Sequence, residues 1–135
     1  MPQPAAVMGD KVAGVDVHVV LVPSPGGPVP TPLPHPFNGT IAGGCSTDVL
    51  IGNKPAAVVG ASVVNSPPHL PTPPGTSFQL PPTNQGTVMP PGSPTVLVNN
   101  KPLARVGDQV QTCNDPAPAP TCAITGPGVT SVIVG

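Results

Sequence analysis

In this 135-residue chain, the groups able to ligate a metal or relay a proton are three histidines, three cysteines and five aspartates; there is no glutamate. Their spacing follows a phrase that occurs three times: QPAAVMGD (Gln3 to Asp10), KPAAVVGA (Lys54 to Ala61) and KPLARVGD (Lys101 to Asp108). Eight residues past the end of the first phrase stands His18, eight past the second stands His69, and five past the third stands Cys113. A threefold arrangement of the phrases would bring these three side chains together, and His35, in the first long connection, supplies a fourth donor. Three imidazoles and one thiolate make a closed tetrahedral set of the kind that holds structural zinc and leaves no position for substrate. A single loop histidine is more often a polar surface group; two at matching repeat positions point to a shared site. Cys122 competes with Cys113 for the thiolate position, and Cys45 reads as a small buried residue. A Cys113–Cys122 disulfide is open by spacing, although a reducing compartment disfavours it.

No catalytic residue is assigned. Asp10, Asp16, Asp48, Asp108 and Asp115 show no pairing suited to a two-carboxylate mechanism. No serine occupies a G-x-S-x-G elbow, and an open zinc site would lack a glutamate base. Asp10 and Asp108, each following a glycine, read as turn caps, and Lys54, Lys101 and Arg105 as solvent-facing strand charges. A small zinc-dependent hydrolase and a proline-rich interaction adaptor are the competing readings.

The elements that must position these groups follow from a longer repeat. STDVLIGNKPAAVVGA (46–61) and SPTVLVNNKPLARVGD (93–108) agree at nine of sixteen positions without a gap. Each predicts a short strand, a two-residue Gly-Asn or Asn-Asn turn that tolerates positive φ, and a second strand opened by Lys-Pro. Residues 3–10 are a second half without a first, and VTSVIVG (129–135) is a first half without a second. Joined, the ends complete a third unit, so the predicted fold is a closed, pseudo-threefold array of short β-hairpins with the N- and C-terminal strands paired. Closure also removes exposed sheet edges. The proline- and glycine-rich segments 23–37, 66–91 and 114–128 are expected to be extended surface connections.

Composition supports an all-β domain spanning 1–135. Proline and glycine together number 41, yet the chain is 38% hydrophobic and only 7% charged, the reverse of a disordered segment. Valine-rich clusters favour strands, and no window free of proline and glycine carries a helical period. With two phenylalanines as its only aromatic residues, the core must be built from small aliphatic side chains and would benefit from a metal staple. A net charge of −1 argues against nucleic-acid binding. The absence of an apolar run or a signal-like start points to synthesis in the cytoplasm.

KPLARVGD and KPAAVVGA, preceded by VLVNN and VLIGN, resemble the PAAR-repeat family. The likeness runs from Pro4-Ala5-Ala6 to the closing VIVG, although Arg105 is the only arginine, and the segment PLPHPFNGTI (32–41) resembles the PAAR-like branch. The resemblance implies a cone-shaped, monomeric cap on the trimeric spike of a contractile injection system, either type VI secretion or an extracellular phage-tail-like particle. It implies zinc, with iron as the alternative, near the sharp end on three histidines and one cysteine, which coincides with His18, His35, His69 and Cys113. It further implies a mechanical role in membrane puncture, transient contact with a target membrane, carriage outside the cell at the particle tip, and attachment of cargo effectors. The base strands are expected at 49–51, 96–98 and 132–134.

Overall fold

A computed structural model describes residues 2–135. Among them are thirteen strands and no helix. Three two-stranded antiparallel hairpins form one end: β4 (Leu50–Ile51) with β5 (Lys54–Pro55), β9 (Leu97–Val98) with β10 (Lys101–Pro102), and β13 (Val129–Val134) with β1 (Gln3–Ala5). Their registers coincide: Ile51 faces Lys54, Val98 faces Lys101 and Val134 faces Gln3. The first two turn through Gly52–Asn53 and Asn99–Asn100, all four at φ between 51° and 65°. Positive φ at both central positions is the type I′ hairpin requirement that Gly and Asn meet at least cost. In the third hairpin the chain ends stand where the turn would be, so the split unit read from the sequence is real.

The repeated phrase closes on itself behind the hairpins. Ala6 N–H donates to Ala104 O (3.0 Å), Ala57 N–H to Ala6 O (3.0 Å) and Ala104 N–H to Ala57 O (2.9 Å), a cyclic triangle of backbone bonds. All three alanines are fully buried. Three equivalent Cβ atoms converge here, which is why the fourth residue of every phrase is alanine. The bridges Ala5–Arg105, Val7–Ala56 and Val58–Leu103 complete the same cycle. Gly9, Gly60 and Gly107 then turn each chain away at φ 94–97°, a left-handed conformation natural to glycine.

Each phrase feeds a strand of a closed antiparallel barrel. Around the ring lie β2 (Lys11–Val22), β3 (Val29–Gly43), β6 (Ser62–Asn65), β8 (Gln85–Val88), β11 (Gln109–Thr112) and β12 (Ala119–Gly126), with β12 pairing back onto β2 and β7 (Ser77–Phe78) added beside β2. The terminal strands therefore pair as expected, while the barrel itself is closed by β2 and β12. Val12, Val63 and Val110 from the first strand of each pair, with Ile41, Val88 and Ile124 from the second, fill the barrel together with Phe37. A second cluster, Ala5, Ala56, Val58, Val98, Leu103 and Val134, lies under the hairpins.

The proline-rich connections differ from expectation. Residues 29–37 lie within the longest strand, and 119–126 and 85–88 are also barrel strands rather than surface straps. The spacing of proline in β3 explains this. Pro30, Pro32, Pro34 and Pro36 alternate with Thr31, Leu33, His35 and Phe37, and the prolines are exposed while His35 and Phe37 are buried. Backbone N–H groups alternate sides along a strand with the same period as side chains. The intervening residues thus donate to β2, and the prolines remove donors only from an edge that β6 covers no further than Gly39. Proline is tolerated there, and it blocks further strand addition.

Candidate metal centre

The side chains singled out by spacing converge beyond the barrel core. β2 carries Asp16 and His18 two residues apart, so both face inward, while Val15 and Val17 point outward at 50% and 38% exposure. That alternation is inverted relative to an ordinary half-buried strand. Eight strand residues separate Asp10 from His18, or about 26 Å at ~3.3 Å per residue, which sets the cluster far from the alanine triangle. His69 comes from the loop after β6, and Cys113 directly follows β11.

One donor atom from each of Asp16, His18, His69 and Cys113 lies within 4.8 Å of every other, and all four residues are buried. His69 Nε2 stands 3.2 Å from Asp16 Oδ2. Cys113 Sγ lies 3.5 Å from the same oxygen and 3.6 Å from His18 Nε2. His18 Nε2 is 3.9 Å from Asp16 Oδ2. Soft, borderline and hard donors in one buried knot suit zinc or a similar transition ion.

The surroundings orient these donors. Asp115 Oδ2 lies 3.3 Å from His18 Nδ1 and also accepts the Val19 N–H at 3.2 Å. A proton on Nδ1 leaves Nε2 free to face Cys113 and Asp16, the carboxylate–imidazole arrangement that fixes metal-binding histidines. Thr112 and Thr121 donate hydroxyls to Asp16 Oδ1, the latter at 2.8 Å. His69 is held through its backbone N–H on Asn84 Oδ1 (2.8 Å), which also accepts from Asn65 Nδ2 (3.0 Å). Burial lowers the pKa of His69 and His35 from the ordinary 6.5, and raises that of Cys113 above 9.0, with the Asp16 charge adding to the rise. Without metal, burial therefore favours the neutral forms of His35, His69 and Cys113; a bound cation would draw the thiol proton off.

His35 is close without belonging to the group of four. Its ring centroid lies 5.4 Å from that of His18 and 5.7 Å from that of His69. Both of its nitrogens are engaged: Nδ1 with Leu33 O at 2.9 Å, and Nε2 accepting the Thr72 N–H at 3.2 Å. Phe78 packs against both His35 and His18, at 5.3 and 5.8 Å between centroids. Cys122 lies apart, its sulfur 3.7 Å from the Thr112 and Thr121 hydroxyls, and all three cysteines are free thiols. Asp16 and Asp115 escaped the sequence reading because neither occupies an equivalent point of the repeat. The usable signal for Asp16 was its period-two relation to His18 within VDVHVV.

A closed, pseudo-threefold, all-β body with a buried cluster of metal-type donors defines the class of this protein. Residues 79–135 match the family model of the PAAR motif, and the internal repeat carries the same phrase through the rest of the chain. No curated protein and no solved structure matches the chain significantly.

Proposed function

We propose that the protein is the metal-pinned tip of the trimeric spike of a contractile injection system. The observation that carries this reading is the set of three equivalent exposed apolar residues on the three hairpins: Leu50, Leu97 and Ile133, at 60%, 63% and 56% exposure. They stand opposite Pro55, Pro102 and Pro4 in matching registers. A single chain that repeats one apolar contact three times about an axis suits a partner that is itself threefold, one hairpin per subunit. Each hairpin belongs to a two-stranded sheet only, so strand addition by the spike's chain ends would add backbone hydrogen bonds to the apolar contact. Burying each Leu or Ile contributes about 1.5–3 kcal/mol.

The role we assign to the metal is structural. His18, His69 and Cys113 hold it, with Asp16 and His35 both near the fourth position, and it ties β2, the loop after β6 and the end of β11 into one unit beyond the barrel core. A stiff point built this way suits passage through a target membrane, and exposed parts of the surface remain for cargo effectors. Assembly takes place in the cytoplasm, and firing carries the tip out of the cell.

The test is co-purification with the trimeric spike of the same machine, alongside metal analysis of the isolated chain. One tip per spike trimer and about one metal per chain are expected. A chain that binds no metal, or that ignores the spike, overturns the corresponding half of the proposal.

A further inference from the structure

Resting on the metal-pinned reading above, we infer that Asn84 is a positioning residue of the metal centre: with Asn65 it clasps the neck of the segment between β6 and β8 and sets His69 in place before a metal arrives. The three donors at equivalent points of the repeat are not carried equally. His18 stands inside β2, paired along its length with β3, and Cys113 directly follows β11. His69 stands four residues past the end of β6, in a nineteen-residue connection (66–84) whose counterpart in the third repeat, 113–118, has six. A side chain near the start of so long a loop is held only if the ends of the loop are tied together.

The tie is made of asparagines. The β6–β8 ladder, which runs to Val64 opposite Gln85, continues one step further through Asn65 N–H on Asn84 O at 2.8 Å. There the side chains interlock. Asn65 Nδ2 donates to Asn84 Oδ1 (3.0 Å), the His69 N–H donates to the same oxygen (2.8 Å), and the Asn38 N–H donates to Asn65 Oδ1 (2.9 Å). Ser66 N–H returns to Asn38 O at 3.0 Å. Backbone N–H groups can only donate, so the two from Asn38 and His69 fix which end of each carboxamide is oxygen, and with it the direction of the Asn65–Asn84 bond.

Asn65 is buried, so each of its polar atoms needs the partner it has. Asn84 lies at φ 58°, in the left-handed region that asparagine tolerates better than other residues bearing a side chain. None of these bonds uses a side-chain donor of the metal centre. The clasp therefore forms without a metal, and it fixes the backbone of His69 rather than its ring. Holding a donor in place beforehand removes part of the ordering cost of metal binding.

The test pairs Asn84→Gly, which keeps the left-handed backbone and removes the accepting oxygen, with Asn84→Asp, which keeps an acceptor there. Zinc affinity of the full chain, measured against a competing chelator, should fall about ten- to hundredfold in Asn84→Gly and less than about tenfold in Asn84→Asp. Amide hydrogen exchange on the zinc-free chain adds a readout that a general loss of stability does not imitate. The His69 N–H should be protected in the wild type and in Asn84→Asp and exchange freely in Asn84→Gly. The Val88 N–H, bonded to Ala61 O in the barrel at 3.0 Å, should stay protected in all three. A His69 amide that exchanges freely in the zinc-free wild type shows that the metal orders this segment, and overturns the inference even if neither variant folds. Wild-type zinc affinity in Asn84→Gly, or an equal fall in both variants, also overturns it while leaving the metal-pinned reading intact. A folded wild-type chain that takes up no zinc overturns both.

Discussion

Replacing Ala57 by valine probes the threefold closure at its narrowest point. Ala6, Ala57 and Ala104 are fully buried and joined in a cycle of backbone bonds of 2.9–3.0 Å. Two added methyl groups at one corner have nowhere to go unless the cycle opens. Overpacking of this kind costs about 1–3 kcal/mol, opposed by less than about 1 kcal/mol from the better strand propensity of valine. For a chain of this size, each kcal/mol lowers Tm by roughly 3–5 °C, so a fall of about 5–10 °C is expected in thermal melts followed by circular dichroism. Ala13→Val makes the same chemical change on an exposed position of β2 and should shift stability by no more than about 0.5 kcal/mol. Equal Tm values for the two variants would refute the convergence of the three repeats on one axis.

Further predictions concern the cluster and the hairpin face. Chelation of the metal should lower Tm by on the order of 10–20 °C, because a ligand present at a thousand times its Kd stabilises by about 4 kcal/mol; calorimetry with and without chelator measures this. The metal-free chain should be most stable between about pH 6.5 and 9.0. His35 and His69 have folded pKa values below 6.5, so the unfolded chain takes up protons first and stability is lost as pH falls through 6.5; the Cys113 thiol is raised above 9.0, so stability is lost as pH rises past that value. Denaturant midpoints across that range test both limbs. Leu97→Glu on the exposed end of the second hairpin should leave the melt unchanged and weaken spike binding about tenfold to hundredfold, read by titration calorimetry.

The repeated phrase made the threefold architecture legible, since nine shared positions in sixteen specify equivalent hairpins, and the split unit at the chain ends implied their pairing. Asn and Gly at both turn positions announced the I′ geometry seen at 52–53 and 99–100. The strands β3, β8 and β12 were hidden because proline-rich segments read as extended surface connections rather than as paired strands. In β3 proline falls on every second residue, where only edge-facing donors are lost. The distance ruler found His18, His69 and Cys113 because each follows an equivalent exit from the alanine triangle. It could not find Asp16, whose position depends on strand alternation within a single repeat. Asp115 was equally out of reach, since its contact with His18 bridges a sequence separation of 97 residues.

The most direct measurement is a cryo-EM reconstruction, without imposed symmetry, of the zinc-loaded chain on its trimeric spike. One copy per trimer is expected, with the β4–β5, β9–β10 and β13–β1 hairpins each meeting one spike subunit and the metal density at the far end. Docking through the His18–His69 end, or several copies on one spike end, would contradict it.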